Sequence, residues 1–341
     1  MQERYGTDRL ALPRMVALGA SAGGIEALMQ IVHGLPSDLP ASVCVVLHVS
    51  PTGTSRLPEI LSNAGKLPAT HAGHGDRIEP GRIYIAPPDR HLTIVGPCLE
   101  LVEGPSENNF RPAIDPLFRS AAAQYGPRLI AGVLSGMMDD GTAGLAVAKA
   151  AGAITIAQDP DDAQYAPMPA SVIEHVGVDH VLPASEIAGL LVRLLATKAS
   201  VLPTKPMILK RSTPTDQVCP DCGGVLRQLD ESGVLRFRCR VGHAYSSESL
   251  LGAQDKSLEG ALWAAIRALE ESSSLSGRLA RGARGRGAVA SADRYERRQR
   301  DSGARADIVR SAILALSGLE DTPPAADVRD SYDSATEAAA S

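Results

Sequence analysis

Two groups of side chains in this chain have types and spacings that could do chemistry. The first begins at Ser21, inside LGASAGG (18–24), where Gly19 and Gly23 flank the serine in a G-x-S-x-G pattern. Small neighbours let the backbone turn sharply and push the hydroxyl outward, as a nucleophile elbow requires. A helix starting just after it would offer free N–H groups and the positive end of its dipole to an oxyanion. The same glycine-rich turn also reads as a phosphate-binding strand-to-helix turn. A dinucleotide fingerprint needs glycine where Ser21 stands, so that pattern is not met.

Two further segments supply partners for a serine. His48 ends the apolar run VCVVLH, and Asp140 lies in LSGMMDDGTAG, again after an apolar run and before a helical one. In open α/β sheets the carboxyl ends of strands face one crevice. A histidine there can take the serine proton, and a carboxylate behind it can fix the imidazole tautomer and stabilise the imidazolium. Asp139 competes with Asp140 for that role. Both aspartates are also ordinary turn and N-cap residues. His33, His71, His74 and His91 fall in loops or helices, with less reason to meet Ser21.

The second group is Cys219, Cys222, Cys239 and His243, in the order C-x2-C…C-x3-H. Three thiolates and an imidazole at this spacing form a tetrahedral zinc site, and four protein ligands leave no open position, so the zinc is expected to be structural. A module of this size can hardly bury enough core without metal. No cofactor is expected for the serine chemistry.

These residues need elements to position them. Short apolar runs at 15–18, 41–48, 129–134 and 153–157 alternate with helical patterns at 25–32, 116–124 and 142–150. Strands alternating with helices predict a doubly wound, mostly parallel α/β sheet in three Rossmann-like layers. The segment 70–103, with strands split by Gly and Pro, predicts a β-hairpin insertion at the sheet edge. The expected organisation is a catalytic domain over 14–195, a linker over 196–217 and a zinc-ribbon-like module over 218–252. A helical region over 253–320 and a disordered acidic tail over 321–341 complete it. Within the helical region Leu258, Leu262, Ile266 and Leu269 share one face, beside Trp263, and are expected to pack on the ribbon or on another helix. The arginine run at 278–286 reads as a solvated linker, because aromatic residues for stacking bases are absent.

The 341 residues are 44% hydrophobic and only 3% aromatic, so the core must be built from Ala, Val, Leu and Ile. A formal net charge of -5 gives no reason to expect nucleic acid. The odd count of five cysteines, without a secretory leader, argues against a disulfide framework. No apolar window reaches the roughly 20 residues of a membrane span. A cytoplasmic protein without membrane insertion is therefore expected.

At this point the chain resembles the chemotaxis protein-glutamate methylesterases, the CheB family. The matching strings are LGASAGG (18–24), VVLHVSP (45–51), IYIAPPDRHL (83–92), RPAIDPLF (111–118), LSGMMDDGTAG (134–144) and IAQDPDDAQYAPMP (156–169). The resemblance implies a Ser-His-Asp triad at Ser21, His48 and Asp140. It implies hydrolysis of glutamyl methyl esters on chemoreceptor cytoplasmic domains to glutamate and methanol, with glutamine deamidation in many members. Backbone N–H groups of Ala22 and Met137 are expected at the oxyanion, and Arg111 and Asp115 at the substrate cleft or bracing a loop. Other chemosensory signalling proteins are possible partners. The family's best-known members carry a receiver domain; with the esterase beginning near residue 14, none is expected here. The family usually has Thr where Ala22 stands and Gly where Met138 stands, and that glycine suits a backbone with positive φ. An alternative is an adaptor that binds partners through the esterase fold and zinc module with little turnover. Another is an esterase or amidase with a different substrate.

Overall fold

The computed structural model describes residues 13–197 and 212–317. Most of the expected linker and the whole acidic tail lie outside the described residues. The described part divides into two units, one reaching Leu250 and one beginning at Leu251.

The first unit is built on a seven-stranded sheet in the order β3-β4-β2-β1-β7-β8-β9. Its strands are β1 (Arg14–Ala20), β2 (Ala41–Leu47), β3 (Ala69–His71), β4 (Ile83–Ile85), β7 (Leu129–Val133), β8 (Ile154–Gln158) and β9 (His180–Leu182). All paired neighbours are parallel. β1 and β2 are buried almost without interruption, as strands covered on both faces must be. Helices α1 (Gly24–His33), α2 (Leu57–Ala64) and α6 (Ala184–Ala196) cover one face. There Leu28, Ile31, Leu61, Ile187 and Leu191 pack with Val16, Leu18 and Val45. Helices α3 (Ile114–Tyr125), α4 (Thr142–Ala150) and α5 (Pro167–Val176) cover the other. There Leu117, Phe118, Leu145 and Val172 pack with Met15, Ala17 and Val46.

The expected hairpin exists but is shorter than the segment 70–103. β5 (His91–Val95) and β6 (Cys98–Val102) form a separate antiparallel pair. The RIYIAP run instead enters the main sheet as β4, because Ile83, Tyr84 and Ile85 alternate onto two apolar layers and are buried on both.

The ribbon is a four-stranded antiparallel sheet, β10 (Thr213–Val218), β11 (Val225–Glu231), β12 (Val234–Cys239) and β13 (Ala244–Ser246). β10 pairs with β11, so the sheet takes in residues 213–217 that the sequence assigned to the linker. A helix, α7, starts directly after β13 at Ser247, inside the segment assigned to the ribbon.

The second unit is a helical hairpin of α7 (Ser247–Gly285, its first residues in the first unit) and α8 (Val289–Ser317). Small residues let the helices approach: Ala280, Ala283, Ala292 and Ala306 are buried. The arginine run at 278–286 is the end of α7 and the turn after it rather than a linker. Arg284 holds it there through ion pairs to Asp293 and Glu296 of α8. Of the predicted apolar face, Ile266 is buried and Leu258 is exposed, as is Trp263 beside that face. No helix among the described residues is long and apolar enough to cross a membrane.

Candidate active site and metal cluster

β2, β1 and β7 are neighbours, and Ser21, His48 and Asp140 follow their carboxyl ends. The chain fills one side of β1 and then returns to the other through β7. This makes a topological switch point, where an α/β sheet opens a crevice. The sharp turn after β1 depends on its glycines. Gly23 has φ 68, and a Cβ on Gly19 would lie 2.3 Å from Ile114 Cγ2. The Ser21 N–H donates to the Ser135 carbonyl and the His48 N–H to the Ala20 carbonyl, so the three strand ends are tied together.

The three side chains form one line. Ser21 Oγ is 3.1 Å from His48 Nδ1, and His48 Nε2 is 2.8 Å from Asp140 Oδ2. This geometry places the ring proton on Nε2, facing the carboxylate, and leaves Nδ1 to accept from the serine hydroxyl. The Phe110 ring stacks on the imidazole, with centroids 3.6 Å apart and planes 9° apart. The relative exposures of Ser21, His48 and Asp140 are 8%, 3% and 1%.

Asp140 is held from four directions. Its Oδ2 accepts from His48 and from the Ile114 N–H at 2.7 Å; its Oδ1 accepts from Asn108 Nδ2 at 2.7 Å and from the Gly141 N–H at 2.9 Å. Burial pushes this carboxyl up, but the His48 hydrogen bond and charge and the other donors outweigh it and hold the pKa low. Asp139 turns elsewhere and accepts from the Ser246 hydroxyl at 2.6 Å. The geometry therefore separates the two aspartates that the sequence left in competition.

Met138 has φ 63 in the turn that carries Asp140. A side chain sits in a left-handed backbone that a glycine would enter freely. No hydrogen bond among the described residues engages the backbone N–H of Ala22 or of Met137.

Arg111 and Asp115 do not line an open cleft together. Arg111 donates to Asp89 Oδ1 at 2.8 Å and to the Gly104 carbonyl at 2.8 Å, bracing a loop. Asp115 is fully buried, and its oxygens accept from the Gly144 N–H, from Asn108 Nδ2 and from Arg236 Nη1. The expectation of Asp115 at the cleft is therefore corrected: every direction from its carboxylate is filled by protein. Asn108 and Arg236 were missed by sequence reasoning. Asn108 sits in a polar loop, and Arg236 alternates with apolar residues in VLRFRC, where a strand arginine reads as solvent-facing.

In the ribbon, the ligand atoms of Cys219, Cys222, Cys239 and His243 all lie within 4.8 Å of one another. Cys222 Sγ to Cys239 Sγ, Cys219 Sγ to His243 Nδ1 and Cys239 Sγ to His243 Nδ1 are each 3.6 Å. Sulfur atoms about 2.3 Å from a tetrahedral zinc stand about 3.7 Å apart, so these residues fit that ion. His243 Nε2 points to Asp221, 3.7 Å away, and the Tyr245 hydroxyl lies 3.4 Å from Cys219 Sγ, as outer partners of metal ligands do.

The family model described as CheB methylesterase matches residues 16–191. A protein-glutamate methylesterase/protein-glutamine glutaminase of Anaeromyxobacter dehalogenans is 41% identical over 179 residues, 52% of this chain and 52% of that protein. One of Pseudomonas aeruginosa is 36% identical over 195 residues, 56% of each chain. The solved catalytic domain of the Thermotoga maritima CheB methylesterase superposes with a TM-score of 0.52 at 36% identity, covering 54% of this chain and all of that one. The chain spans about half the length of the curated relatives it matches. With more than half of its 341 residues matched, the chain belongs to the CheB methylesterase family.

Proposed function

We propose that this protein hydrolyses glutamyl methyl esters on chemoreceptor cytoplasmic domains, releasing glutamate and methanol, with Ser21, His48 and Asp140 as its triad. The observation that carries the reading is the continuous line from Ser21 Oγ through His48 to Asp140, at 3.1 and 2.8 Å, on adjacent strand ends. His48 Nδ1 takes the hydroxyl proton as Ser21 attacks the ester carbonyl. The N–H groups of Ala22 and Met137 stabilise the oxyanion, where loss of one donor typically costs about 100- to 1000-fold in rate. The proton on His48 passes to the leaving methoxide, and Asp140 stabilises the transient imidazolium. Water then enters, gives its proton to His48 and cleaves the acyl-enzyme. A glutamine side chain forms the same acyl-enzyme with ammonia leaving, so deamidation belongs to the same site.

Residues 14–195 carry this chemistry, and the protein works in the cytoplasm. Cys219, Cys222, Cys239 and His243 hold a structural zinc, whose contribution is to fix the ribbon. The test is methanol release from a methylated chemoreceptor cytoplasmic fragment, comparing the natural chain with Ser21→Ala. Release by the former and loss in the latter are expected. Release unchanged in Ser21→Ala removes Ser21 as nucleophile. No release by the folded natural chain removes the substrate, and favours the adaptor or another ester.

A further inference from the structure

Arg236 belongs to β12 of the ribbon, yet it is among the most deeply buried side chains of the molecule, at 1% exposure. A guanidinium taken out of water needs partners of opposite charge. It finds two: Nη1 donates to Asp115 Oδ2, and Nη2 donates to Glu107 Oε2 at 3.0 Å. Glu107 is also bound by both oxygens to Arg119 Nη2, each at 2.7 Å.

Asp115 leads back to the active site. Its Oδ2 also accepts from Asn108 Nδ2 at 3.0 Å, and the same amide nitrogen donates to Asp140 Oδ1 at 2.7 Å. The two hydrogens of that amide are thus spent on two buried carboxylates. The amide oxygen accepts from the Ser246 N–H at 2.9 Å, and the Asn108 N–H donates to the Ala244 carbonyl at 2.7 Å. Ala244 and Ser246 are β13, so the ribbon grips Asn108 from one side while Arg236 reaches it through Asp115 from the other.

We propose that the ribbon completes the active site, with Arg236 as a positioning residue that keeps Asp115 an acceptor and so aims Asn108 at Asp140. The inference rests on the esterase reading for its kinetic consequence. Its physical content is a charge balance. Asp115 and Asp140 are buried carboxylates that share one donor nitrogen. Burial pushes the Asp115 carboxyl up, Arg236 and Arg119 pull it down, and the charges of Asp140 and Glu107 push it up, so that the balance lies on the raised side even with the guanidinium in place. Without the guanidinium, Asp115 takes up a proton and can present it to Asn108 Nδ2, donor against donor. Asn108 must then turn, and Asp140 loses one of its four donors. Arg236 is buried and bonds Asp115 and Glu107 rather than the triad, so its loss is expected in the chemical step rather than in substrate binding.

The experiment compares the natural chain with Arg236→Met, Arg236→Gln and Arg236→Lys, each first shown to be folded by thermal melting. Three readouts are taken: methanol release, the rate of Ser21 labelling by a fluorophosphonate, and the low-field proton resonance of His48 Nε2–H against Asp140. In the two neutral variants kcat falls about 100-fold, the loss typical of a misplaced catalytic group, with KM within about twofold. Labelling slows in parallel and the resonance shifts or broadens. Arg236→Lys recovers part of kcat, because it restores the charge without the fork. If Arg236→Met does not fold, Arg236→Gln carries the comparison, since it keeps a donor toward Asp115. A folded neutral variant with unchanged kcat, labelling and His48 resonance overturns the proposal. If the natural chain labels at Ser21 but releases no methanol, the methylesterase reading fails. Labelling and resonance, which need no knowledge of the substrate, still decide the role of Arg236.

Discussion

Met138 offers a direct measure of strain in the turn that carries Asp140. Its φ of 63 puts an L side chain in the left-handed region, which costs roughly 1–2 kcal/mol. Replacing it by glycine alone would also remove a half-buried side chain, so the informative comparison is Met138→Gly against Met138→Ala. Both lack the Met side chain, and only alanine keeps a Cβ in the left-handed backbone. Glycine pays back about 0.4–1 kcal/mol through the greater freedom of its unfolded chain. The net expectation is that Met138→Gly is about 1 kcal/mol more stable than Met138→Ala, or roughly 3 °C in Tm for a domain of this size. Urea and thermal unfolding of the two variants give the number. Because Asp140 lies two residues on, the glycine variant is also expected to hydrolyse ester at least as fast as the alanine variant. Equal stability, or a more stable alanine variant, would refute the argument that this position is strained.

Two other perturbations test other parts of the molecule. Burial pushes the Asp139 carboxyl up to about 6, against the pull of the Ser246 hydrogen bond. A carboxyl raised on folding contributes stability fully below the unfolded-chain value near 4, and that contribution is lost as pH rises through about 6. Asp139→Asn keeps an acceptor for Ser246 and removes this loss. Its stability relative to the natural chain should therefore rise by roughly 2 kcal/mol between pH 4 and pH 8 in urea denaturation; a constant difference would count against the buried, raised carboxyl. For the ribbon, elemental analysis should find about one zinc per chain, and stripping it with a chelator should unfold β10–β13. Amide exchange at Ala244 and Ser246 would report this, and protection that survives metal removal would argue that the ribbon's core suffices without the ion.

How legible the site was depended on where each residue stood relative to the strands. Ser21, His48 and Asp140 follow apolar runs, and parallel strands bring such run-ends to one edge, so their convergence could be anticipated without coordinates. Choosing Asp140 over Asp139 could not be done by pattern alone, because adjacent residues in a turn share every local signal. The Ile114 and Asn108 donors decide it, and they come from another segment. The RIYIAP run was misplaced because a three-residue buried strand carries too little pattern to distinguish the main sheet from a hairpin. The gathering of Cys219, Cys222, Cys239 and His243 into one cluster was readable from spacing. The ribbon's contact with the esterase was not, since a buried arginine in a strand looks like an exposed one until its acidic partners are known.

The bonds that join β12 and β13 to the segment at 107–115 span large distances in sequence: 121 residues from Asp115 to Arg236 and 138 from Asn108 to Ser246. Closing such loops is the slow part of folding, because chain entropy is lost before the contact repays it. The seven-stranded parallel sheet has all its strands once residue 182 has been synthesised, whereas the clamp on Asn108 must wait for Ser246. During synthesis the nascent chain would therefore hold a complete sheet while Asn108 is still unclamped. Order in the chain becomes order in time: the clamp on Asn108 is among the last contacts of the first unit to form.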